Sequence, residues 1–82
     1  MTIDTRTIDT KAKFSAFVDQ LRADLQNSPE TFENLTLDDF LNALSAWVAD
    51  SDGYYRSIGE SGPSPAVLRY IADALTGAAV YE

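Results

Sequence analysis

From Phe14 onward the large apolar residues fall at Phe14, Phe17, Val18, Leu21 and Leu25, the i, i+3, i+4, i+7, i+11 spacing that lines one face of a helix. Thr10 or Asp9 is placed to cap that helix, and Asn27-Ser28 ahead of Pro29 should end it. Lys11 and Lys13 sit at the positive end of its dipole, a cost of a few tenths of a kcal/mol at an exposed site. A second stripe runs Leu37, Phe40, Leu41, Leu44, Trp47, Val48. Thr36 and Asp39 before it have the spacing of a capping box, and Leu35 with Phe40 that of a hydrophobic staple. Phe32, in the connector, is expected to lie as a lid on the helix pair. A third stripe, Leu68, Ile71, Leu75 and Ala78, follows Ser64-Pro65, a good N-cap and a good first helical residue.

Between the second and third stripes the pattern breaks. Gly53, Gly59, Gly62 and Pro63 punctuate the interval, so the second helix is expected to stop near Asp50 and a loop to follow. Small residues at Ala72, Ala74, Gly77 and Ala79 would admit a close neighbour, with Trp47 as the expected occupant. The resulting expectation is an all-α, compact three-helix bundle, with room for a short β ribbon between the 53–60 loop and a terminus. Residues 1–9, with their tandem Thr-Ile-Asp-Thr, read as an N-terminal tail whose first copy is frayed or a short strand. Residues 10–82 read as a single helical domain.

Composition narrows the chemistry. The 82 residues include no Cys and no His, which removes disulfides, thiol nucleophiles, imidazole bases and the usual transition-metal ligands. The opening residues show no signal-peptide core, and no apolar run approaches the ~20 residues that cross a bilayer, so a soluble, cytoplasmic protein is expected.

Charge then changes the picture. Thirteen acids face six bases, and the imbalance is local. Asp19, Asp24, Glu30, Glu33, Asp38, Asp39, Asp50, Asp52 and Glu60 are opposed within their segment only by Arg22 and Arg56, a formal charge of minus seven. Direct nucleic-acid or anionic-membrane binding needs the opposite sign. A basic protein surface is the partner such a field would steer; solubility alone is the competing explanation of the same charge.

Trp47 to Tyr55, WVADSDGYY, tests two further classes. An EF-hand register with Gly53 at position 6 puts Asp50 and Asp52 at 3 and 5, but position 1 becomes Val48 and position 12 Gly59. Starting at Asp50 puts Tyr55 where the Gly belongs. Neither register binds calcium, and no metal or cofactor is expected. For catalysis, the carboxylates lack any phosphate cradle, nucleophile-base set or metal-ligand cluster beside them. The Gly-Glu-Ser-Gly string at Gly59–Gly62 lacks the histidine and the strand-turn-helix setting of a serine nucleophile. No catalytic residue is therefore assigned. On an extended loop Tyr54 and Tyr55 would point opposite ways, one inward and one outward as a contact anchor.

The residues Thr36, Asp39-Phe40-Leu41, Ala43-Leu44, Ala46-Trp47, then Asp50, Asp52-Gly53-Tyr54-Tyr55 and the terminal Tyr81-Glu82, resemble a group of small acidic bacterial domains of unknown function. The resemblance spans Ile8 to Glu82. It implies a compact bacterial domain and carries no activity.

Three function classes follow. The first expectation is a non-enzymatic inhibitor that occupies a basic, nucleic-acid-handling protein by charge mimicry, of anti-CRISPR, anti-restriction or nuclease-immunity type. Its contact residues would be Glu30, Glu33, Asp38, Asp39, Asp50 and Asp52, with Tyr54 or Tyr55 as anchor, and it would act as a monomer or weak dimer. A structural or regulatory adaptor binding through an apolar face is the second. A small enzyme with paired carboxylates in a pocket is the third.

Overall fold

A computed structural model describes residues 4–81 of the chain. The protein is all-α, with three helices in the order α1 (Lys11–Asn27), α2 (Leu37–Ser57) and α3 (Pro65–Val80). Short 3-10 turns precede and follow α1, at Thr5–Thr7 and Pro29–Thr31. Among the described residues there is no strand, so the β ribbon allowed by the sequence does not form. By its contacts the chain divides into two compact units, Met1–Ala43 and Leu44–Glu82, with the boundary inside α2.

In the first unit, local polar chemistry sets the helix ends. The Lys13 backbone N–H donates to Thr10 Oγ1 at 3.1 Å, so Thr10 is the cap of α1. Asp9 takes a different role: its carboxylate pairs with Lys13 Nζ at 2.9 Å, which offsets the unfavourable position of that lysine on the helix dipole. At the far end the Ser28 N–H donates to the Asp24 carbonyl at 2.8 Å, and Pro29 opens the next 3-10 turn. The cap expected at Thr36 is present, with the Asp39 N–H donating to its hydroxyl at 3.1 Å. The first Thr-Ile-Asp-Thr copy lies partly outside the described residues. Its Asp4 caps the Thr5–Thr7 turn, where a frayed end or a strand was expected.

In the second unit α2 is longer than the glycines in its sequence suggest. α2 does not stop at Asp50 but runs through Gly53 to Ser57. A lone glycine costs a helix only about 1 kcal/mol, which the turns on either side absorb. The terminator is Gly59, at φ +73°. Its N–H donates to the Arg56 carbonyl at 3.2 Å and the next N–H, of Glu60, donates to the Tyr55 carbonyl at 2.9 Å. That pair of bonds is the Schellman closure, which needs a left-handed residue at the site Gly59 holds. After the linker, Ser64 caps α3 by accepting from the Val67 N–H at 3.2 Å, with Pro65 in the first turn as expected.

The close approach expected at Gly77 is also absent: nothing lies within 4 Å of where a Cβ would stand there. Small residues on a helix permit a close neighbour without attracting one. Indeed, no apolar side chain among the described residues is buried, and Ser51, 7% exposed, is the sole buried residue of any kind. Taken alone, each unit therefore leaves its apolar stripe open on one side.

Candidate partner-binding surface

The acidic residues of the first unit are presented by the segment that joins α1 to α2. Glu30 stands in the Pro29–Thr31 turn, Glu33 just beyond it, and Asp38 and Asp39 in the first turn of α2, where the helix dipole favours carboxylates. All four are exposed. Beside them α1 and the connector enclose an apolar groove of about 360 Å³, lined by Val18, Leu21, Leu25, Phe32, Leu35 and Phe40 among others. Phe32, expected as a lid, is half-buried and lines this groove, and the staple residues Leu35 and Phe40 share it. Arg22 is the one charged residue of its lining.

In the second unit, carrying α2 through Gly53 rearranges the predicted contact residues. Asp50 and Asp52 are both exposed, but successive residues turn by about 100°, so the two carboxylates leave the helix on opposed sides. Tyr54 and Tyr55 do not diverge as they would on a strand. Their rings meet edge to face, centroids 5.2 Å apart at 80°. Tyr54 also reaches back seven residues to Trp47, with ring centroids 5.8 Å apart and planes tilted by 54°. Trp47 is 52% and Tyr54 49% exposed.

Trp47, expected to pack against the third helix, is thus half exposed at the surface. The signal was there in the i, i+7 spacing to Tyr54, but it is visible only if α2 continues past Asp50. On the same helix the Ser51 hydroxyl donates to the Val48 carbonyl at 2.8 Å and the Ser57 hydroxyl to the Tyr54 carbonyl at 2.6 Å, so both satisfy themselves within the helix.

The electrostatics of the chain are one-sided. Two ion pairs form among the described residues, Asp4 with Arg6 at 3.1 Å and Asp9 with Lys13 at 2.9 Å, and both lie ahead of Asp19. Within each unit and among the described residues, none of the nine acids from Asp19 to Glu60 is paired with a base. Eight of the nine are exposed; Asp24, which accepts from the Gln20 side-chain amide at 2.9 Å, is half-buried. At the N-terminal end the Arg6 side chain donates to Asp4 at 3.1 and 3.2 Å and the Arg6 backbone N–H at 3.0 Å, which holds the Asp4 carboxyl below its ordinary range.

No group of three or more potential metal ligands occurs among the described residues, and no described helix is long and apolar enough to cross a membrane. The described residues thus offer exposed carboxylates without an ion pair inside their unit, half-exposed aromatic rings and apolar surface.

A family of unknown function, DUF7660, matches residues 10–82. The chain belongs to this family. The match begins at the residue that caps α1, so all three helices, both groups of acids and the Trp47–Tyr55 stretch lie inside the DUF7660 region. No curated protein and no solved structure matches the chain.

Proposed function

We propose that this DUF7660 chain is a non-enzymatic binding protein that occupies a basic, nucleic-acid-handling surface of another protein, its carboxylates standing where phosphates would. The observation that supports this reading is that, within each unit and among the described residues, none of the nine acids from Asp19 to Glu60 forms an ion pair, while the two pairs present lie ahead of that segment. Unpaired exposed carboxylates keep their field available to an incoming cationic surface, and such a field speeds and orients encounter. The setting is the cytoplasm of a bacterium or of a phage-infected cell, and the partner class is a nuclease or a nucleic-acid-binding complex, as for an anti-CRISPR, anti-restriction or immunity protein.

The test is affinity capture at low salt with the wild-type chain and two charge-reversed variants, Asp38→Lys with Asp39→Lys and Asp50→Lys with Asp52→Lys. The wild type is expected to hold basic nucleic-acid-handling proteins and to inhibit them, and each variant to lose them. Capture indifferent to both reversals and to added salt would refute the proposal.

A second reading is favoured by a different observation: among the described residues neither unit, taken alone, buries an apolar side chain. An adaptor that binds through an apolar face would use that surface, with the charge serving solubility. Its association would be nearly unchanged between low and moderate salt, whereas charge-led association weakens steeply.

A further inference from the structure

We infer that Trp47, Asp50 and Tyr54 together form a receptor for an arginine side chain of the partner protein. This rests on the reading of the acidic surface as a partner-binding one, and adds which cation it takes and where.

Trp47 and Tyr54 present rings 5.8 Å apart, each about half exposed, on one side of α2. Asp50 follows Trp47 by three residues and precedes Tyr54 by four, the spacings at which helical side chains become neighbours. Ala46 and Gly53, one turn to either side of Asp50, add no bulk, and nothing lies within 4 Å of where a Cβ on Gly53 would stand. The carboxylate is therefore approachable from the aromatic side.

Two attractions coincide there. The faces of Trp and Tyr draw a cation through the ring quadrupole, and the adjacent carboxylate accepts charge-assisted hydrogen bonds. A guanidinium, planar and weakly hydrated, satisfies both by stacking with one face and donating from its edge. An ammonium is a compact, strongly hydrated point charge and gives up hydration to do the same. An aliphatic side chain laid on the rings would desolvate Asp50 with no compensating bond.

Within the second unit no described base pairs with Asp50. Arg56, two residues past Tyr54, leaves α2 about 160° away around the axis.

The experiment uses the whole chain with two probes of equal length and charge, hexa-arginine and hexa-lysine, at low salt. Binding is read by anisotropy of the labelled peptide and by emission from Trp47, the single tryptophan. The arginine peptide is expected to bind about fivefold more tightly than the lysine peptide and to change Trp47 emission. Asp50→Asn and Trp47→Leu should each bring that ratio to about one, while Asp38→Asn with Asp39→Asn weakens both peptides and leaves the ratio intact. Asp50→Asn alters one exposed helix position, so it tests the receptor even if Trp47→Leu loses helicity.

Equal binding of the two peptides with unchanged emission, or a ratio that survives Asp50→Asn, would overturn the receptor and leave the charge-led reading standing. Failure of both peptides to bind would remove both.

Discussion

The Trp47 ring lies 5.8 Å from that of Tyr54, seven residues on, and this contact exists because α2 does not break at Gly53. A tilted aromatic pair of this kind contributes about 0.5–1.5 kcal/mol beyond area burial when well packed, and less where the rings are half exposed. It also couples their electronic transitions. Replacing Tyr54→Leu should alter the near-ultraviolet circular dichroism and the emission of Trp47 while far-ultraviolet helicity stays near wild type. Spectra unchanged by the substitution would show that the rings do not meet in solution.

Gly53 and Gly77 sit inside helices with open space where a Cβ would stand. Alanine at either position restricts the unfolded chain without meeting a neighbour. Gly53→Ala and Gly77→Ala are each expected to stabilise by up to about 1 kcal/mol, read as a raised midpoint in thermal or urea denaturation. A lowered midpoint for Gly77→Ala would mean that a partner element does approach α3 there.

Gly59 behaves in the opposite way. At φ +73° it closes α2, and a side chain there is strained whatever space surrounds it. Gly59→Ala is expected to destabilise by about 1–2 kcal/mol. Amide exchange at Glu60, whose N–H bonds the Tyr55 carbonyl, should rise with it.

Thr36 lines the groove, and its capping hydroxyl holds the first turn of α2, and with it Asp38 and Asp39, in place. Thr36→Ala should cost about 1 kcal/mol, and Thr36→Ser should restore most of it. Loss of partner binding in the alanine variant with recovery in the serine variant would tie that acidic turn to function.

Asp4 supplies a pH test. Hydrogen bonds from the Arg6 side chain and backbone lower its folded pKa, so the stabilisation of the Thr5–Thr7 turn is present above the ordinary carboxyl range and is lost as pH falls through the depressed value. An NMR titration of the Asp4 carboxyl should show a midpoint below the ordinary one, returning toward it in Arg6→Ala. A midpoint unmoved by that substitution would rule out the pairing.

The local decisions of this chain were legible in its residues. Thr10, Thr36 and Ser64 cap where the apolar spacing begins, because an N-cap is chosen by a side-chain oxygen reaching an N–H three residues on, a contact within one turn. The all-α class followed from the same short-range periodicity, and the unbalanced charge of the Asp19–Glu60 segment from counting.

What the residues left open were competitions. Gly53, Gly59 and Gly62 all read as stops, yet among the described residues only Gly59 adopts the left-handed backbone that lets two successive N–H groups fold back on the helix. That choice is made by bonds spanning three and five residues, and it turns Tyr54 from a loop residue into the neighbour of Trp47. Likewise, counting charges could not tell which acids would be neutralised. Within the folded units Arg6 and Lys13 pair with acids two and four residues away, whereas Arg22, three residues from Asp19, and Arg56, four from Asp52 and from Glu60, have the spacing for a pair and form none with them.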